Sequence, residues 1–310
     1  MRNDFVKQVL VEMKRDPSIY FLTADLGFKA LEPIEAAFPR RFLNVGISEQ
    51  HMIGMAAGLA LEGKKVIAYS IASFATMRPF EQIRDDLCYH DLDVKVIGAG
   101  GGFNYASHGV THHTLEDFAI MRALPEMRVL APAYSWEARE ATHAIMTARG
   151  LFYMRLGKSP GIAFEKPSFT FKIGKGFVIR EGRDIVLVST GNVLEVAVKT
   201  AELLNAKTRQ SVAVISMPSV KPLDRTLINR YAKAATGFFV IEEHSTTGGL
   251  GAAVGEVLWE TGFPHARFRS FGMPAEKFIK AVGNRDHMLK LAGIDAHLIS
   301  RTIIDALGTH

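Results

Sequence analysis

The sequence has a single cysteine, Cys88, among its 310 residues. An intrachain disulfide framework and a cysteine metal cluster are both excluded, and the composition suits a reducing compartment, so the cytoplasm is the expected location. No stretch approaches the ~18 uninterrupted apolar residues of a membrane-spanning helix. The opening segment around Arg2, Asp4 and Phe5 is charged early and lacks the apolar core and cleavage site of a signal peptide. Long basic runs are missing as well. The net charge of +5 is too small an excess to argue for nucleic acid; it would suit anionic metabolites, but a solvated basic surface explains it equally. There is no short-period repeat and no low-complexity segment. The glycine run Gly98 to Gly102 does not extend to G-x-G-x-x-G, so it reads as a flexible turn rather than a dinucleotide fingerprint.

What is present is ample apolar material. At 48% hydrophobic residues the chain can bury a sizeable core, and its length suggests two domains. Phe5, Val6, Val9, Leu10 and Met13 have helical spacing, and short apolar runs follow at 20–25, 41–45, 65–69, 94–97, 128–131 and 151–155. Helical segments are expected between them, at 31–38, 49–61, 79–89, 115–124 and 136–147. The alternation restarts with strands at 184–189, 211–215 and 237–241, helices at 193–204, 224–232 and 249–259, and a last helix at 296–307. Strands that alternate with helices make βαβ units on a mostly parallel sheet. The expected fold class is therefore α/β, with one α/β domain over 1–160, a linker over 161–176 containing Pro167, and a smaller α/β domain over 177–310.

Four local patterns carry chemistry, and each also has a plain structural reading. Gly46-Ile-Ser-Glu49 delivers a carboxylate to the start of an Ala- and Gly-rich helix. Such an acid can simply favour the helix dipole, but one opening a buried helix needs a specific partner. His108, His112 and His113 fall within six residues. They could serve a metal, yet no second ligand cluster stands at a recognisable spacing; a proton relay or a structural role remains open. Phe74, with Arg78 four residues on, is either core or a platform for a flat ring. Glu242-Glu243-His244 precedes Gly248, Gly249 and Gly251; this glycine-rich helix start could hold an anion or allow tight packing.

Taken together, these segments resemble the C-terminal two-thirds of transketolases, and are also similar to deoxyxylulose phosphate synthases. The resemblance rests on Thr23-Ala-Asp25-Leu26, Gly46 to Met52, Thr111-His112 with Ala123 to Val129, Val220 to Asp224, and Glu242 to Gly251, in order and spanning nearly the whole chain. It implies a pyrimidine-binding domain over 1–160 followed by a transketolase C-terminal-like domain. Glu49 matches the acid that hydrogen-bonds the aminopyrimidine of thiamine diphosphate and promotes the tautomer that deprotonates the thiazolium. A buried acid can hold or share a proton that an exposed one would lose. Phe74 matches the aromatic beneath the pyrimidine, Asp25 an acid near the cofactor, and Arg78 falls near a phosphate-binding arginine of the synthases. His112 matches a histidine that bonds the substrate near its reacting carbons, and Arg155 and Arg2 match arginines that hold the sugar phosphate.

Two departures bear on the substrate. Where the family reads D-G-x-T-H, this chain has His108-Gly109-Val110-Thr111-His112, so His108 replaces an aspartate that reads a substrate hydroxyl. An upstream family histidine would fall at Gly100 to Gly102 and is absent. The G-D-G…N motif that holds the diphosphate through Mg2+ or Ca2+ is also absent. The resemblance thus implies a split transketolase whose partner, an N-terminal diphosphate-binding subunit, completes an α2β2 enzyme acting on sugar phosphates. The His108-Gly109 pair is similar to the beta subunits of 2-oxo acid dehydrogenase decarboxylases, which is the alternative. A non-catalytic binding paralogue is a third reading.

Overall fold

The computed structural model describes residues 1–158, 170–262 and 267–308. Helix α1 (Arg2–Arg15) forms where the helical spacing predicts it, and Phe5, Val6, Val9 and Met13 are buried along one face. The first half continues with β1 (Ile19–Thr23), α2 (Glu32–Ala37), β2 (Phe42–Asn44), α3 (Glu49–Leu61), β3 (Lys65–Ile71), α4 (Ala72–Met77) and α5 (Phe80–Gln82). A π-helical turn at Ile83–Cys88 extends α5. Then come β4 (Val94–Ala99), α6 (Asp117–Ala123), β5 (Arg128–Leu130), α7 (Ser135–Thr147) and β6 (Phe152–Leu156). The second half holds β7 (Phe177–Arg180), β8 (Ile185–Ser189), α8 (Leu194–Lys207), β9 (Val212–Ser216), β10 (Ser219–Lys221), α9 (Arg225–Ala232) and β11 (Gly237–Ser245). It ends with α10 (Leu250–Glu260), β12 (Arg267–Met273), α11 (Arg285–Leu291) and α12 (Ala296–Leu307).

Two sheets result. The first has strand order β10-β5-β6-β4-β3-β1-β2 and the second β12-β11-β8-β9-β7. Pairing is parallel throughout except for β10 against β5 and β7 against β9. The central strands of both sheets are buried on nearly every residue, as parallel strands covered by helices on both faces must be.

Strand β10 departs from a simple division into halves. It belongs by sequence to the second half but pairs Ser219 with Leu130 and Lys221 with Val129 at the edge of the first sheet. Lys221 Nζ then donates to the carbonyls of Arg122 (3.0 Å) and Leu124 (2.6 Å). Part of the expected linker, 161–169, lies outside the described residues. The rest is tied down: Phe171 N donates to Glu140 (2.9 Å), Gly174 N to Ser219 Oγ (3.0 Å) and Gly176 N to Asp224 (3.3 Å). Strands β7, β10 and β12 and helices α4 and α11 are not foreseen by the periodicity of the sequence.

Candidate active site

In a parallel sheet all strands end on one side, and loops leaving those ends converge. Here β1 leads to Asp25, β2 to Glu49, β3 to Phe74 and Arg78, and β4 to the loop carrying His108 and His112. The sheet therefore collects these sequence-predicted residues along one edge.

The first two loops are joined by Asn44, a residue that sequence reasoning misses. Asp25 has φ 53°, in the left-handed region, and Asn44 stabilises that turn. Its Oδ1 accepts from the amides of Asp25 (2.9 Å) and Gly46 (3.1 Å), and its Nδ2 donates to Asp25 Oδ1 (3.1 Å). The available signal is its position, at the end of an apolar run and two residues before the glycine that opens the Glu49 turn.

Glu49 is the first residue of α3 and is 2% exposed. Ser70 Oγ, from β3, donates to its Oε1 (3.0 Å), and Arg78 Nη1 donates to its Oε2 (2.8 Å). Arg78 continues the helical turn of α4, which places it beside Phe74 at i+4. Its guanidinium lies over the Phe74 ring, with Cζ 3.8 Å from the centroid. One planar N–H-bearing group therefore stacks on Phe74 and bonds the buried carboxylate at once. Any flat ring with a hydrogen-bonding edge has the shape and polarity for that position, so the residues present fit an aminopyrimidine.

The β4 loop supplies the opposite wall. Its ends are fastened by reciprocal bonds between Gly102 and Thr114 (2.8 and 3.0 Å). His112 meets Phe74 edge-on at 5.1 Å, lies 4.9 Å from the His108 ring, and has Nδ1 2.9 Å from Thr111 Oγ1. Burial lowers the His112 pKa, and His108, Arg78 and His113 add to the effect, so the ring is neutral at pH 7. His113 turns away into the core, where it packs against Phe103 and meets the carbonyl of Ala106 at 3.3 Å. Among the described residues no group of three or more His, Cys, Asp or Glu side chains could hold a metal ion.

Tyr105 is a second residue that sequence reasoning passes over. Its ring lies on Gly100, where a Cβ would sit 2.1 Å from Cε2 and φ is +70°. It meets the rings of His108 at 5.6 Å and His112 at 6.1 Å. Lys158 Nζ stands 5.2 Å above it. Arg2 acts electrostatically on both Tyr69 and Tyr105. Arg2 and Lys158 thus bring positive charge to one flank of the loop.

Arg155, expected to hold a substrate phosphate, stands here among partners of its own chain. Its side chain is 8% exposed, and its guanidinium packs 3.9 Å from the Phe118 centroid. Nε and Nη2 donate to the Asp117 carboxylate, Nη2 also to Thr114 O (2.8 Å), and Nη1 to Glu243 O (2.9 Å). Nearly all its donors are used inside the protein. The Glu242-Glu243-His244 motif is likewise internal. The anion at the start of α10 is Glu242 itself, whose carboxylate accepts from Leu250 N (2.7 Å), Gly251 N (3.1 Å) and Ser270 Oγ (2.7 Å).

Comparison with known proteins identifies the family. Residues 1–160 match the transketolase pyrimidine-binding domain, and residues 174–299 match the transketolase C-terminal domain. The chain is 32% identical over 307 residues to one of the subunits of an apulose-4-phosphate transketolase from Phocaeicola vulgatus, covering 98% of this chain and 96% of that one. It is 33% identical over 261 residues to a 6-deoxy-6-sulfo-D-fructose transketolase subunit of a Clostridium species, covering 84% and 81%. A solved split-gene transketolase, described as an inactive beta4 tetramer, superposes with a TM-score of 0.87 at 33% identity over 99% of this chain and 98% of that one. The chain belongs to the transketolase family and carries its pyrimidine-binding and C-terminal domains.

Proposed function

We propose that this chain is the pyrimidine-binding subunit of a split, cytoplasmic, thiamine diphosphate-dependent transketolase that moves a two-carbon ketol unit between anionic sugars. The observation that carries the reading is the Glu49–Arg78–Phe74 arrangement, in which a buried carboxylate and an aromatic face already share one planar, N–H-bearing group. Glu49 and Phe74 would hold the cofactor's aminopyrimidine, with Asp25 and Asn44 fixing the turn beside them. Bound thiamine diphosphate supplies a carbon nucleophile and an electron sink.

The remaining roles belong to the chain's own side chains. Arg78 has to turn away from Phe74 and Glu49 for a ring to take its place, and its side chain, 45% exposed, has solvent to turn into. Ser70 keeps one Glu49 oxygen fixed meanwhile. Neutral His112, with His108 and Tyr105 beside it, offers hydrogen bonds to substrate oxygens. Arg2 and Lys158 draw the anionic end of the sugar to the same flank. The relatives' names, a sugar phosphate and a sulfo-sugar transketolase, support a substrate with a terminal anion.

A partner supplies the diphosphate and metal site in this reading, in an α2β2 assembly. Large apolar side chains stand exposed on the loops and helix ends that carry the candidate site: Phe28 (70%), Ile47 (78%), Met77 (40%) and Val110 (49%). Apolar groups gathered beside a site in this way mark a surface that another chain covers.

The test is co-expression with a diphosphate-binding transketolase subunit, followed by size exclusion and a ketol-transfer assay with thiamine diphosphate and Mg2+. A stable complex active only with both chains is expected, and Glu49→Gln should lower its rate by about 10²–10⁴-fold. Transfer by this chain alone, or a Glu49→Gln complex within about threefold of wild type, would refute the assignment.

A further inference from the structure

The Glu242-Glu243-His244 motif lies in the second domain, and the proposed chemistry makes no direct use of it. Its middle residue nevertheless reaches the site. Glu243 is 4% exposed, and its Oε1 accepts from the backbone amide of Phe103 (2.8 Å), the second residue of the loop that carries Tyr105, His108 and His112. The approach is close: a Cβ on Gly102 would sit 2.5 Å from the Glu243 carboxyl carbon, at a φ of +66°.

The carboxylate is fixed from behind. Arg285, from α11, donates to it three times, through Nε (3.1 and 3.2 Å) and Nη2 (2.7 Å). Its third nitrogen donates to Glu195 of α8 (2.7 Å). A bidentate arginine–carboxylate pair out of water is both strong and directional. The loop's other end is held by the same strand, because Arg155 bridges Thr114 O and Glu243 O (2.8 and 2.9 Å). Phe103 also belongs to an apolar cluster that joins the two domains, with Ala133 and Trp136 from the first and Phe271 from the second. Beyond these anchors the loop tip is held less tightly, and Ser107, His108, Val110 and Thr111 are wholly or partly exposed.

We propose that Glu243, locked by Arg285, is a positioning residue: it sets the geometry of the 102–114 loop and so lets the C-terminal domain control substrate binding at His112 and His108. The inference rests on the transketolase reading above. It gives the second domain a task in catalysis although its groups do not line the candidate site. A displacement of about 1 Å in a substrate-facing group can cost on the order of 10²-fold in rate, so a clamp at the loop's base has leverage.

The test uses the reconstituted two-subunit complex and two variants, Glu243→Gln and Arg285→Lys. Glu243→Gln keeps an acceptor for Phe103 N but loses the charge, and Arg285→Lys keeps the charge but loses the fork. Both should raise KM for the sugar phosphate by about tenfold or more, with thiamine diphosphate affinity within about twofold of wild type. In parallel, amide exchange on the chain alone should rise selectively by about tenfold across 103–114. Unchanged exchange in that loop, or a uniform rise across the chain, would overturn the proposal, and so would selective loosening with unchanged KM. If the wild-type complex transfers no ketol unit, the functional reading fails and the proposal falls with it; the silence of the wild type distinguishes that outcome from a failure of the variants.

Discussion

Replacing Arg155 by methionine separates the two roles that an arginine at this place can have. Methionine keeps much of the side-chain volume and removes every donor. Asp117, wholly buried, then retains the Tyr153 hydroxyl at 2.5 Å and the His244 ring at 3.9 Å but loses its cation. The carbonyls of Thr114 and Glu243 lose a donor as well. Breaking a buried ion pair on one side costs about 3–5 kcal/mol, because the remaining charge stays out of water. For a chain of this length that corresponds to a melting-temperature loss of roughly 5–8 °C. The pH dependence follows the same pair. Burial pushes the Asp117 carboxyl up, but Arg155 outweighs it and holds the pKa below the usual range. A carboxyl depressed in the folded state stabilises fully above its unfolded pKa of about 4 and loses that contribution as pH falls through the folded value. The Arg155→Met variant should lack this contribution. Thermal and urea unfolding of the wild type, Arg155→Met, Asp117→Leu and the double variant would measure it, with a coupling energy of about 2–3 kcal/mol expected between the two sites. Stability within about 1 kcal/mol of wild type together with a raised KM for the sugar phosphate would refute the structural role and restore Arg155 as a phosphate ligand.

Other consequences can be measured on the same preparations. Burial lowers the His244 pKa to about 4, against a smaller opposing effect of Asp117. Its Nδ1 donates to Ser245 O (2.7 Å) and its Nε2 accepts from Ala119 N (3.3 Å), which defines the neutral tautomer. Stability should therefore be complete above about pH 6.5 and fall by about 3 kcal/mol as pH drops toward 4; His244→Asn should flatten that slope, and an unchanged slope would count against it. Arg78→Met should tighten thiamine diphosphate binding to the complex by up to about tenfold, since it frees Glu49 and Phe74; calorimetry showing weaker binding would make Arg78 a cofactor ligand instead. Ile47→Asp should weaken subunit association by about 100-fold without lowering the melting temperature of this chain, and undiminished association in sedimentation would place the partner elsewhere.

Much of the fold is legible in advance because its elements are periodic or continuously apolar. Helix α1 shows its face through Phe5, Val9 and Met13, and the Ala- and Gly-rich run marks α3 over Glu49–Leu61, the bounds observed. The elements that escape a sequence reading lack such a signal. Strand β10 is three residues long and followed by Pro222, and its pairing partner is about ninety residues upstream, so nothing local announces it. Strand β12 presents Arg267, Phe268 and Arg269 outward at an edge. Helix α4 follows β3 without an intervening turn residue, which hides the boundary.

The candidate site divides along the same line, between chemistry that is local in sequence and chemistry that depends on a distant partner. Glu49, Phe74, Arg78 and His112 each follow a strand end, and the parallel sheet brings strand ends together, so finding the strands is enough to group them. Arg155 stands in a strand too, yet its role depends on Asp117, thirty-eight residues away, and on the backbone of Glu243, eighty-eight away. No spacing rule distinguishes an arginine that faces a substrate anion from one that faces a buried carboxylate of its own chain. Glu242 makes the same point with opposite charge: a glycine-rich helix start signals that an anion belongs there, but not that the anion is eight residues upstream in the same chain. A cation or an anion site inferred from sequence is therefore a statement about charge balance. Whether the balancing group is a ligand or the protein itself is decided by tertiary structure, and in this chain the protein balances Arg155 and Glu242.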